Sequence, residues 1–318
     1  MPKLVWSVLI LFAFLSPFIG TANLDFNALF EAGSLSQRIF LELRLPRILL
    51  AFVTGGTLAL AGLLFQTLFR NALMTPFTLG VSGGAVLGAG LAIKLGLSVT
   101  LGISAVSLFG FTGAFSTVIL LIVLSKYLKK AEQESLLLLG IALSFFYTSA
   151  LMVIFYLSSF TETATIMRFT MGSLSIVGYD NVIFIAVFAG LLLVSLWLKR
   201  FELQLLSISD EQASLKGVNT KQLTYFFLII TSLAIGVLVS LTGPIGFIGL
   251  IIPHMLRKLY QRPVSDLIVP VFILGGLFLL ACDTIARYLS TGSEIPIGVV
   301  TALIGGPFFI YLIISKQK

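Results

Sequence analysis

Apolar runs separated by short polar gaps fill this chain from end to end. A helix that crosses a bilayer needs about 20 apolar residues. The pattern predicts ten such spans, at 4–20, 47–67, 78–97, 100–125, 135–158, 178–199, 222–242, 245–259, 267–289 and 295–314. The eighth is short and broken by glycines. The longest polar gaps, 21–47 and 199–222, leave no room for a soluble domain. The expectation is an all-α polytopic membrane protein, one transmembrane domain over residues 1–318, whose function is carried by helices and short loops.

Composition strengthens that expectation. The chain is 58% hydrophobic and only 10% charged, with a mean hydropathy of +1.10. Soluble domains run nearer 45–50% apolar and about 25% charged. The formal charge of +7 would suggest nucleic acid in a soluble protein. In a membrane chain it points to the positive-inside rule. With ten spans and both termini in the cytoplasm, 14 of the 20 basic residues fall inside and six outside. An odd number of spans would put Lys316 and Lys318 outside, which fits less well. The first run, Leu4 to Gly20 after Lys3, reads as a retained span, because it is longer than a usual signal core.

Small residues mark where helices approach one another. Gly80, Gly84 and Gly88 recur every four residues, and Gly55, Ala59 and Gly62 make a similar stripe. Such stripes serve tight packing within one subunit or an interface between subunits. The densest cluster of helix breakers is GPIGFIGLIIPHMLRK, 243–258. Gly243-Pro244 should end the seventh span, and Gly246 and Gly249 allow the eighth to pack closely or turn sharply. Pro253 loosens it near its cytoplasmic side, so the segment reads as a packing and hinge element. Its lack of a strand–turn–helix context argues against a nucleotide loop.

Catalytic chemistry is sparse. One histidine, His254, and one cysteine, Cys282, cannot build a metal site or a nucleophilic triad, and Cys282 reads as a buried inert thiol. No phosphate-binding GxxxxGK[ST] motif is present. Neither a catalytic residue, a metal nor a cofactor is therefore expected on this chain. Ion-driven carriers usually keep ionisable groups at mid-membrane. Here the deepest acid is Asp283, with Arg287 one helical turn on, in i,i+4 register for an ion pair.

Two polar stretches can touch partners. In 199–222 Ser209, Asp210 and Glu211 can cap a short helix, and Gly217 can end it in a left-handed turn. That stretch reads either as a docking helix or as a solvated loop. In ELRLPRILLAF, 42–52, Pro46 suits a helix first turn and places Arg44 and Arg47 at an outer mouth. They could snorkel to lipid phosphate or dock an acidic partner.

RLPRILLAFVTGGTLALAGLLFQTLFRNALMTPFTLGVSGGA (44–85), LLLLGIALS (136–144), LKGVNTKQ (215–222), GPIGFIGLIIPHMLR (243–257) and EIPIGVVTALIGGPFFIYLI (294–313) resemble the permease subunits of ABC importers for iron chelates and vitamin B12. The resemblance spans nearly the whole chain, with the motifs in the family's order. It implies ten spans, a second permease subunit, two cytoplasmic ATPase subunits that hold ATP and Mg, and an external binding protein. It further implies that Arg44, Arg47 and Arg287 meet acids on the binding protein. Asn71 and Leu73 match a cytoplasmic gate, and AEQES, 131–135, matches a second gate less closely. The loop at 207–219, with Ser209, Asp210, Glu211, Leu215 and Gly217, matches the coupling helices that sit in the ATPase. This chain carries Ala72 where many relatives have proline. The implied cargo is an iron chelate (siderophore or haem) or cobalamin, and the implied location the bacterial plasma membrane.

Overall fold

The computed structural model describes residues 12, 15–20, 25, 31, 33–97, 99–100, 103–125, 133–175, 177–290 and 294–315. Most of the span expected at 4–20 lies outside the described residues; within it a 3-10 turn covers Ser16–Phe18. Each of the other nine expected spans coincides with a helix. We number the helices α1 (Leu35–Leu68), α2 (Val81–Lys94), α3 (Ala105–Ser125), α4 (Gln133–Leu157), α5 (Phe160–Thr170), α6 (Asp180–Leu198), α7 (Arg200–Ile208), α8 (Asp210–Leu215), α9 (Thr220–Thr242), α10 (Ile248–Tyr260), α11 (Val264–Leu289) and α12 (Ile297–Ser315). A two-residue strand pair, Val99–Thr100 with Ile103–Ser104, joins α2 to α3. Among the described residues α1, α3, α4, α6, α9 and α11 are long and apolar enough to cross a membrane.

Four boundaries differ from the sequence reading. First, α1 begins at Leu35, not at 47. Pro46 does not start the helix, because Ile39–Arg44 form a π segment just before it. A proline removes one backbone donor and leaves the carbonyl four residues back without a partner. That carbonyl, on Glu42, accepts the Gly178 N–H at 3.0 Å, and the Leu41 carbonyl accepts the Tyr179 hydroxyl at 2.8 Å. A distant loop thus satisfies the groups that would otherwise end the helix. Second, α2 and α10 have 14 and 13 residues, about 20 Å each at 1.5 Å per residue, too short to cross alone. Third, α5 was not foreseen. It opens with a capping box in which Ser159 and Glu162 satisfy each other's backbone N–H, a stabilising local device. Fourth, the gap at 199–222 contains two helices, α7 and α8.

α1 is the centre of the molecule. Every residue from Thr54 through Leu68 is buried, and α11, α10, α6 and α9 surround it. Such a helix must be apolar on all faces. Lipid is as apolar as leucine, so close packing rather than exclusion of water holds helices together here. That explains the small residues. A Cβ on Gly62 would fall 1.8 Å from the Gly249 carbonyl oxygen of α10, and one on Gly55 2.3 Å from the Gly275 oxygen of α11. Gly84 and Gly88 likewise press on the α3 backbone at Gly113 and Phe109. Both stripes therefore pack within one subunit. α4 and α6 instead turn large apolar side chains outward, among them Phe145, Phe146, Ile183 and Trp197, as a lipid-facing or subunit-facing surface requires.

Most of the helix breakers at 243–258 have individual reasons. Gly243 ends α9 at φ 69°, where a side chain would also strike the Phe169 carbonyl. Pro244 and Gly246 lie in the bend that follows; a Cβ on Gly246 would meet nothing within 4 Å, and the positive-φ residue of the bend is Phe247, at φ 70°, so neither packing nor backbone conformation requires a glycine at 246. Pro253 lies inside α10 and has no N–H for the carbonyl of Gly249. Gln66 of α1 supplies the missing donor, its Nε2 reaching that oxygen at 3.0 Å.

Candidate functional site

The side chains singled out from the sequence gather at the two ends of α1. At the end that opens toward Leu35, three arginines converge. Asp283 of α11 is fully buried and sits between two of them. Its Oδ1 accepts Arg47 Nε at 3.0 Å and lies 2.9 Å from Nη2, and its Oδ2 accepts Arg287 Nε at 2.9 Å. Arg287 also donates Nη1 to the Ile19 carbonyl at 2.6 Å and Nη2 to Thr284 at 3.2 Å. Arg44 donates Nη1 to the Pro17 carbonyl at 2.8 Å. The turn at residues 16–19 therefore offers a row of carbonyl oxygens to two guanidinium groups. Arg47 donates Nη1 to Glu294, 2.7 Å from Oε1, and the Ser175 hydroxyl binds the other oxygen of that carboxylate.

These arginines point inward, to protein partners and not to lipid headgroups. Arg44 and Arg287 are each only 7% exposed. A lone buried charge is costly, and pairing offsets that cost only when its hydrogen bonds are satisfied. The i,i+4 pair of Asp283 with Arg287 is present, but it is one link of a larger network that Arg47 and Glu294 complete. The three arginines border one cavity of about 260 Å³, shared with Ser175, Val177 and Glu294. Ser175 and Glu294 were missed from the sequence, since they lie 128 and 247 positions from Arg47 and no local pattern announces them. Burial alone would raise the Glu294 pKa, yet its hydrogen bonds to Arg47 and Ser175 outweigh that and hold it below the usual carboxylate range.

The opposite end of α1 carries the loops expected to face the cytoplasm. Arg70 follows the helix at φ 47°. The Asn71 side-chain oxygen then accepts the Leu73 N–H at 2.9 Å, folding residues 71–74 into a turn that leaves Leu73 half exposed. Beside it, α7 buries Leu203 and Leu206 and packs against α11 and α1. The Ser209 hydroxyl caps α8 by accepting the Gln212 N–H at 3.0 Å, as its sequence suggested. Asp210 and Glu211 occupy the first turn, where the helix dipole favours acids, and Gly217 follows at φ 81°. Only Ala213 of α8 is buried, while Leu215 is 87% exposed. The helix is thus held by its cap and offers an apolar tip outward. The AEQES stretch falls partly outside the described residues; Gln133 to Ser135 begin α4.

Among the described residues no three His, Cys, Asp or Glu side chains gather as metal ligands, and Cys282 is buried. What the arrangement offers is two ends joined by a rigid, closely packed helix: charged and internally paired at one, capped and apolar-tipped at the other.

The FecCD transport family model matches residues 8–315. The chain belongs to the FecCD transport family. It is 34% identical over 287 residues to the Probable iron chelatin transport system permease protein of Helicobacter pylori, covering 90% of this chain and 85% of the relative. It is 33% identical over 318 residues to the Hemin transport system permease protein HmuU of Yersinia pestis, covering 98% and 94%. The Vitamin B12 import system permease protein BtuC of Citrobacter koseri is 32% identical, covering 87% and 83%. A solved metal-chelate type ABC transporter in an inward-facing conformation superposes with a TM-score of 0.87 at 30% identity, covering 99% of this chain and 100% of that one. As a member of the FecCD family this protein is a multi-pass membrane permease of an ABC importer.

Proposed function

We propose that this FecCD permease imports an iron chelate, a siderophore or haem, across the bacterial plasma membrane. It works as one of two permease subunits, identical or homologous. An external binding protein delivers the cargo, and two cytoplasmic ATPase subunits, which hold ATP and Mg, supply the energy. The observation that carries the cargo reading is the end-to-end similarity to the iron chelatin and hemin permeases. The binding protein docks over the cavity edged by Arg44, Arg47 and Arg287. The ATPase grips α8 through Leu215 and the capped turn before it. ATP closure pushes α8, the two bundles rock, and cargo passes along a largely uncharged wall that does not trap it.

Uptake into proteoliposomes holding the complete transporter tests this. Radiolabelled ferric siderophore and haemin are compared with cyanocobalamin, each with the cognate binding protein. ATP-dependent uptake of an iron chelate is expected. Uptake of cyanocobalamin alone would replace the cargo with vitamin B12, the second reading, which the BtuC similarity favours. Transport without ATPase subunits would mean an ion-driven carrier. Docking is tested at Val177, which edges the cavity and is 72% exposed. A photo-crosslinker on Val177→Cys should capture the binding protein, and a failure to do so places docking elsewhere.

A further inference from the structure

An ion pair joins the turn after α1 to the helix expected to meet the ATPase. Arg70 Nη2 lies 2.6 Å from Asp210 Oδ2, across 140 residues of sequence. Each partner is fixed to what it would move. Arg70 follows α1 two residues after its last residue, at φ 47°, adjoining the turn that Asn71 closes onto Leu73 and, through its carbonyl, onto the Met74 N–H at 3.1 Å. Asp210 is the first residue of α8, rigidly attached through the Ser209 cap. The surroundings favour the pairing. Arg70 and Arg257 both line a cavity of about 320 Å³ with Gln66, Thr67 and Ser207, and no acid is among its lining residues. Asp210 balances Arg70 from outside that cavity.

The side chains are 30% and 51% exposed, and a pair so exposed adds little to stability. Its value lies in direction, since it spans from the element that the ATP-driven reading has pushed to the 71–74 turn, which the family resemblance implies is a cytoplasmic gate. We propose that Arg70 and Asp210 are a positioning pair that makes the 71–74 turn follow α8, so that ATP closure reaches the gate through this contact. The inference rests on the ATP-driven reading above. It adds Arg70, which that reading does not use, and gives Asp210 a role toward its own chain as well as toward the ATPase.

A nitroxide on Leu73→Cys reports on the turn without any cargo. Cys282 is 1% exposed and does not compete for the label. In the assembled permease–ATPase complex, trapping ATP should change the label's spectrum. Arg70→Gln and Asp210→Asn should each shrink that change about fivefold or more, the low end of ordinary coupling between sites. The charge swap, Arg70→Asp with Asp210→Arg, should restore it. Co-purification and basal ATP turnover of Arg70→Gln, measured alongside, check that the complex still forms. If Asp210→Asn loosens α8, Arg70→Gln leaves the Ser209 cap untouched and carries the test. A full ATP response in Arg70→Gln overturns the proposal, as does a swap that restores nothing after both single changes lose the response. If the unaltered complex shows no ATP response, the ATP-driven reading falls and this inference falls with it.

Discussion

Asp283 shows how one side chain can hold several others. Among the described residues it is the only carboxylate between Arg47 and Arg287 in the buried part of the network at the Leu35 end of α1, and removing it leaves both guanidinium groups short of a partner. Breaking a buried pair from one side costs about 3–5 kcal/mol. Asp283→Ala should therefore lower the thermal midpoint of the detergent-solubilised protein sharply. Glu294→Gln, at the exposed edge of the network, should lower it far less. Glu294 also predicts a pH effect with a definite sign. Its carboxylate is held below the usual range, so its pairing is fully present at neutral pH and is lost only as pH falls through the lowered folded value. Stability should be insensitive to this group between pH 7 and about 5 and should drop below about 4.5. Glu294→Gln should flatten that acid limb. A melt series against pH, run on both proteins, checks the sign.

At the scale of helices, the conformational and packing constraints are specific enough to test singly. Gly217 has space around a Cβ, which would meet nothing within 4 Å, so a side chain there costs backbone strain alone, about 1 kcal/mol. A bulky charged residue at Gly217 should weaken ATPase association, read as a lower co-purified ratio; an unchanged ratio would free Gly217 of that role. Gly62 is the opposite case. Gly62→Ala has no room against the Gly249 carbonyl and should separate α1 from α10, giving an early, broadened melt. Gln66→Leu should cost about 1–3 kcal/mol, because the Gly249 oxygen is then buried without a donor. These elements also show what sequence can convey. The capped α8 with its glycine stop was legible because capping is a contact within a few residues. The start of α1 was not, since Pro46 is tolerated only through bonds from Gly178 and Tyr179, more than 130 positions away. α5 escaped because its amphipathic pattern is short, and its Lys94–Glu162 bridge at 3.1 Å is invisible until α2 and α5 meet.

For the whole molecule, the legible part was the class. Apolar runs, charge asymmetry and ordered motifs pointed to a multi-pass permease, and the family match and helical bundle agree. The candidate site was legible as a set of residues but not as a geometry. The family resemblance grouped Arg44, Arg47 and Arg287 as residues that meet acids on a binding protein, without showing that Asp283 and Glu294 already pair with two of them. Any acid arriving from a binding protein thus meets a network that is occupied and must share or exchange partners there. Docking should accordingly be sensitive to ionic strength: capture at Val177→Cys should weaken as salt is raised from 50 to 500 mM, since exposed pairing is screened. Salt-independent capture would mean that apolar contacts carry the encounter.

Gln66 and Pro253 bear on how this bundle can change over generations. Neither is useful alone: a proline at 253 without the glutamine strands a carbonyl, and the glutamine without the proline buries an amide against a carbonyl already bonded within its helix. Substitutions at the two positions should therefore travel together, and a lineage that replaces Pro253 with an ordinary helix former should be free to replace Gln66 with an aliphatic residue. Gly62 and Gly249 should drift with them, because the amide reaches its target only while the two backbones remain in contact.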